Sequence, residues 1–206
     1  MGKFIVFEGI DGSGKSTQIR LLAEKLRAEG RHVYITAEPT ESVSGGMLRD
    51  ALSGFTPRTA CEMAALFLID RVNHNVNPVN GIKKMLSDGF DVICDRYYYS
   101  TLAYQGSATD FEWVKKMNLD CPEILRPDIC VFLDVSPKVG LARIQGGDRG
   151  FTEIYEKEAT LEAVRKKYYY AFEKLSQSDN IKLINADREQ SEVAADIFAA
   201  VSELAD

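Results

Sequence analysis

Residues 7–17 read FEGIDGSGKST. Gly9 to Ser16 satisfy G-x-x-x-x-G-K-[ST] without exception, a match that ordinary residue frequencies produce by chance roughly once in a hundred chains of this size. The run before it, KFIVFE at residues 3–8, has the apolar density of a buried strand. After it, Ile19, Leu22, Ala23 and Leu26 recur at helical spacing, so a helix is expected from Lys15 to Glu29 with Gly30 ending it. Strand, glycine-rich loop and helix in that order make a phosphate cradle. Its glycines let backbone N–H groups turn inward, and the helix N-terminus adds partial positive charge. Gly9, Ile10, Asp11, Gly12, Ser13, Gly14, Lys15, Ser16 and Thr17 are therefore expected to hold the phosphates of ATP. Lys15 reaches the β- and γ-phosphates in this reading, and Ser16 ligates Mg²⁺.

Outward from the loop, strand and helix signals alternate. HVYITA at 32–37 reads as a second strand, followed by a loop through EPTESVSGG and a short helix over 47–53. A long helix is expected from Pro57, acceptable in a first turn, to about Asn75. NPVNG at 77–81 breaks it before a helical piece at 82–87. DVIC at 91–94 is a third strand, 98–106 and 110–119 read as helices, and DICVFLDV at 128–135 is the clearest buried strand. Helices are expected over 137–145, 156–176 and 189–204, with a fifth strand, IKLIN, at 181–185. The pattern predicts an α/β fold: a five-stranded parallel sheet flanked by helices on both faces. One domain is expected over 1–206, with a small lid about 143–156 around GGDRG. Ligands of such sheets bind beyond the carboxyl ends of the strands.

Composition narrows the class. The chain has 206 residues, 45% hydrophobic and 27% charged, as in soluble globular proteins. A net charge of −6 argues against nucleic acid as a partner. Cys61, Cys94, Cys121 and Cys130 form no C-x-x-C pair, so no zinc pattern arises and a reducing compartment fits. His32 and His74 show no metal spacing either. The N-terminal apolar run, FIVF, is too short for a signal peptide, and no run reaches the ~18 residues of a membrane span. The expectation is a cytoplasmic protein with no membrane partner. A regulatory GTPase needs N-K-x-D, which does not occur; residues 185–188 are NADR. A small kinase acting on a small molecule remains.

The stretch DRYYYSTLAYQG at 95–106, taken with FEGIDGSGKST, AEPT at 37–40 and LFLIDR at 66–71, closely resembles thymidylate kinase in an archaeal-like form. The resemblance implies a P-loop NTPase fold, Mg²⁺ as cofactor, and ATP-dependent phosphorylation of dTMP to dTDP. It also implies a homodimer formed through helices, to which the 57–75 helix is apolar enough to contribute. Phe67 and Arg71 lie four apart and share a helix face. In the family the aromatic stacks on thymine and the arginine donates to its O4, where cytosine presents a donor instead. By the same resemblance Ser100, Thr101, Tyr104 and Gln105 belong to the dTMP site, Thr101 and Gln105 near the base and Tyr104 closing on the sugar. Arg96 clamps the acceptor phosphate, with Arg49 as a second contact. Asp11 lies near that phosphate and its cations, and Glu38 and Pro39 border the dTMP site. Asp95 orients Mg²⁺ through water or holds Arg96. With glycine at position 12, the lid arginines Arg149 and Arg143 are expected to stabilise the transferring phosphoryl. At EIYE, 153–156, the chain has Ile154 where many lid-type members have arginine.

The residues alone leave plainer readings open. Phe67 could be core with Arg71 paired to a nearby carboxylate, the 100–105 helix could carry an ordinary polar face, and Asp95–Arg96 could be a surface ion pair. A kinase of another nucleoside monophosphate or deoxynucleoside, or a nucleotide-binding regulatory protein without turnover, are the alternative functions.

Overall fold

The computed structural model describes residues 2–145 and 158–204. Arg149, Ile154 and most of the expected lid lie outside the described residues. The sheet has strands β1 (Phe4–Glu8), β2 (Val33–Ala37), β3 (Asp91–Asp95), β4 (Ile129–Asp134) and β5 (Ile181–Asn185), in the order β2-β3-β1-β4-β5. Every pairing is parallel; Val6 of β1 sits opposite Cys94 of β3 on one side and Cys130 of β4 on the other. β1 is buried along its whole length, because a parallel sheet is covered on both faces. The chain leaves β1 toward β2 and β3 on one side, then continues through β4 and β5 on the other. The strand order thus reverses at the carboxyl end of β1, where such sheets open a crevice.

The helices are α1 (Lys15–Ala28), α2 (Val43–Leu52), α3 (Ala60–Val76), α4 (Ile82–Ser87), α5 (Tyr98–Tyr104), α6 (Phe111–Leu119), α7 (Pro137–Gln145), α8 (Glu158–Leu175) and α9 (Gln190–Ser202). Two starts differ from the sequence expectation by three residues or more. α3 begins at Ala60 and not at Pro57, because Thr59 and Glu62 form a reciprocal capping box: the Glu62 carboxylate accepts from Thr59 N at 2.8 Å and Thr59 Oγ1 from Glu62 N at 3.2 Å. α2 begins at Val43, four residues earlier than expected, because the Ser42 hydroxyl accepts from Gly45 N.

Tyr97 to Tyr99 and Tyr168, unexplained by sequence, are core, whereas Tyr169 and Tyr170 are exposed. Tyr97, Tyr98, Tyr99 and Tyr168 are all fully buried. Tyr97 packs edge-on against Phe4, ring centroids 5.1 Å apart, and Tyr168 lies 5.0 Å from Phe132. Buried phenols need partners: Tyr98 and Tyr99 donate to Asp179 at 2.5 and 2.8 Å. Among the described residues no helix is long and apolar enough to cross a membrane.

Candidate active site

A cavity of about 600 Å³ opens at the carboxyl edge of the sheet, with residues 11–17 along one wall. At the tip of this loop Gly12 has φ +77, and a Cβ there would stand 2.1 Å from the carbonyl oxygen of Gly140 in α7. The loop therefore packs backbone to backbone on α7, and position 12 has no room for a side chain. Gly9 and Ile10 do not line the cavity; their carbonyls accept from Lys15 Nζ at 3.1 and 3.3 Å, and the Ile10 side chain is core. Burial, then the nearby Arg96 charge, lowers the Lys15 pKa from its usual value, against the pull of Asp95, Asp11 and Glu8. Ser16 and Thr17 line the cavity from the first turn of α1.

The lining continues where β3 ends. Arg96 holds a left-handed backbone, φ 66, with its N–H donating to Phe7 O at 2.9 Å. A non-glycine residue in this region costs about 1–3 kcal/mol and is characteristic of functional corners. Its Nη2 donates to Asp11 Oδ1 at 2.5 Å, and its Nη1 to Ser100 Oγ at 3.2 Å and Tyr168 Oη at 3.3 Å. Burial opposes the guanidinium charge, but Asp11, then the tyrosines Tyr104 and Tyr168, then Asp95, raise its pKa well above the ordinary value. Asp11, not Asp95, is thus the carboxylate hydrogen-bonded to Arg96. Asp95 lines the cavity, and its Oδ1 is buried with no hydrogen-bond partner among the described residues. An orphaned carboxylate oxygen in a cavity that Ser16 also lines suits Mg²⁺, which takes one or two protein oxygens and completes its shell with water and phosphate.

Behind Arg96 stands Glu8, the last residue of β1, fully buried. Its Oε1 accepts from Tyr97 N at 2.8 Å and Ser100 N at 3.1 Å; its Oε2 accepts from the hydroxyls of Ser100 at 2.7 Å and Tyr168 at 2.8 Å. Each hydroxyl spends its one proton on Glu8 and keeps lone pairs for Arg96. Sequence reasoning missed Glu8 and Tyr168; the one available signal was an acid closing an otherwise apolar strand.

Phe67 and Arg71, one turn apart on α3, both line the cavity. Arg71 is almost wholly buried. Its Nε and Nη2 donate to Glu38 Oε2 at 3.0 and 2.6 Å, Nη2 also to Thr101 Oγ1 at 3.1 Å, and Nη1 to Asn118 Oδ1 at 2.5 Å. Glu38 and Pro39 line the cavity too. The other Glu38 oxygen is 3.0 Å from His74 Nδ1, and since a carboxylate only accepts, that nitrogen carries the proton; His74 Nε2 lies 2.7 Å from Thr36 Oγ1. Ser100, Tyr104 and Gln105 line the cavity, whereas Thr101 is behind Arg71, outside the lining. Arg49 also stands outside it, donating to Thr40 O at 2.6 Å and Pro39 O at 3.3 Å. It braces the loop after β2.

Arg143 of α7 donates to Ala186 O at 2.9 Å and lines the cavity. Arg188 and Gln190, after β5, line it as well and were not singled out from sequence. Their signal was position alone, beyond the carboxyl end of a strand.

The family model for thymidylate kinase matches residues 7–197. A probable thymidylate kinase of Pyrococcus horikoshii is 37% identical over 212 residues, covering 97% of this chain and 96% of its own. One from Methanocaldococcus jannaschii is 41% identical over 166 residues, 80% of this chain and 79% of its own. A thymidylate kinase of Desulfotalea psychrophila is 38% identical over 204 residues, 98% and 96%. The family-model match spans the phosphate loop, the Phe67–Arg71 pair and the corner at Arg96 together, and the chain belongs to the thymidylate kinase family.

Proposed function

We propose that the protein transfers the γ-phosphoryl group of ATP to dTMP, giving dTDP and ADP on the route to dTTP. The observation that carries this reading is one cavity lined by the phosphate loop and Lys15 together with Phe67, Arg71 and Arg96. The acceptor is an oxygen of the 5′-phosphate, whose second pKa is near ~6, as for other phosphate monoesters. It is largely dianionic at neutral pH, so no general base is required. The difficulty is the approach of two polyanions in line, and fixed positive groups offset it. Arg96, held rigid by Asp11 and the Glu8-bound hydroxyls, receives the acceptor phosphate. Lys15 and the loop amides receive the donor phosphates. Mg²⁺, held by Ser16 and Asp95, would neutralise charge on the donor phosphates when bound. Arg143, and Arg149 from the lid, serve the transferring group in this reading.

Arg71 faces the base edge, with Phe67 beside it as the stacking surface. Tyr104 and Gln105 complete the nucleoside wall, Thr101 acts only through Arg71, and Arg49 only through the loop it braces. We read the chain as one domain, cytoplasmic and homodimeric; exposed Ile69 and Val76 on α3 supply apolar surface for the dimer. The test of the base assignment is Arg71→Ala. It is expected to raise KM for dTMP at least tenfold and leave KM for ATP near wild type. Unchanged nucleotide choice would remove Arg71 from base reading.

A further inference from the structure

We propose that Asn118 is a positioning residue for Arg71, and that through it helix α6 sets how strictly the cavity chooses among pyrimidine bases. The inference rests on Arg71 reading the base. A guanidinium has five N–H groups in a fixed plane. Four of those of Arg71 are engaged: two by Glu38, one by Thr101 and one by Asn118. One N–H on Nη1 has no partner among the described residues, and it is the donor left to serve the cavity that Arg71 lines. Where that N–H points depends on what holds its twin, and the holder is Asn118 Oδ1 at 2.5 Å.

Asn118 is itself locked. It is fully buried, and its Nδ2 donates to Val114 O, one turn back on α6, at 2.8 Å. A flipped amide would set an NH₂ against the guanidinium and an oxygen against a carbonyl, so the acceptor must face Arg71. Glu38 fixes the Nε–Nη2 edge of the plane and Asn118 fixes the Nη1 corner. The ring of Tyr97, 5.1 Å from Arg71 Cζ, lies over the guanidinium. Without Asn118 the plane remains tethered on its Nε–Nη2 side by Glu38 and Thr101 but loses its hold at Nη1, and the donor for a pyrimidine 4-oxygen loses its aim. A 4-amino group meets donor against donor only while that aim holds.

Asn118→Leu keeps the side-chain volume and removes the acceptor. Asn118→Ser leaves a hydroxyl that bonds back to Val114 O and is too short to reach Arg71, which covers the case in which the leucine variant does not fold. The assay is kcat and KM for dTMP, dCMP and ATP, in each variant alone and combined with Arg71→Ala. The expected result is about a tenfold rise in KM for dTMP, the size of one lost hydrogen bond to a charged group. The dTMP/dCMP ratio of kcat/KM falls with it, while kcat and KM for ATP hold. In the Arg71→Ala background the Asn118 substitutions add nothing to the ratio. If Arg71→Ala shifts the ratio and neither Asn118 variant does, Asn118 only packs and the proposal is overturned. If Arg71→Ala leaves the ratio untouched, base reading by Arg71 fails and the proposal falls with it.

Discussion

Glu8 has no access to water, and four donors converge on it. Burial raises its pKa above the ordinary 4.5 despite the opposing effects of Arg96, Ser100, Tyr97 and Tyr168. The native state therefore holds the Glu8 proton to higher pH than the unfolded chain does. Across the window from 4.5 up to the raised value, this group makes stability fall as pH rises. Urea unfolding followed against pH should show that fall in the wild type and not in Glu8→Gln. At neutral pH the amide satisfies at most part of the donor set, so Glu8→Gln is expected to lose about 1–3 kcal/mol net of the relieved desolvation. Parallel pH profiles for the two proteins would contradict the buried-carboxylate description.

Elements carry the site through their ends. Gly12 meets Gly140, and three residues further along α7 stands Arg143, which lines the cavity. The phosphate loop and the helix carrying Arg143 are thereby held in register without a side chain between them. Gly12→Ala must either shift α7 or abandon the left-handed turn, at a cost of roughly 1–3 kcal/mol in stability. Its kcat should fall more than stability alone explains, because Arg143 moves with α7; denaturant midpoint and kcat measured together check this, and wild-type values for both would contradict it. The element boundaries were partly legible. The Gly30 stop on α1 was written in the sequence and is observed, with φ 84. So was the T-x-x-E box of residues 59–62, yet Pro57 drew the expected start of α3 three residues early. Reciprocal capping satisfies two backbone donors, whereas proline at a first turn merely does no harm.

For the molecule as a whole, alternation of apolar runs with helical faces was enough to read five parallel strands, but not their order. That order depends on which crossovers the helices make, and no local spacing records it. The phosphate loop was legible because its residues are contiguous and their types are dictated by backbone geometry. Phe67 and Arg71 were legible through one helical turn. Glu8, Asn118 and Arg188 were not, because each stands on a different segment from the motif residues and meets them or the cavity only in the folded chain. Thr101 and Arg49 show the converse: the resemblance put them at the substrate, whereas neither lines the cavity, Thr101 accepting from Arg71 and Arg49 donating to the loop after β2. What unites these residues is charge held in place at one end of the sheet, which the proposed function assigns to a pyrimidine monophosphate beside ATP. The most direct measurement is ADP release with magnesium and ATP, comparing dTMP, dUMP, dCMP and dGMP in parallel. Turnover should be fastest with dTMP, lower with dUMP by the ~1–3 kcal/mol of one methyl group, and near background with dCMP and dGMP. No ADP release with dTMP, or preferred turnover of dGMP, would contradict it.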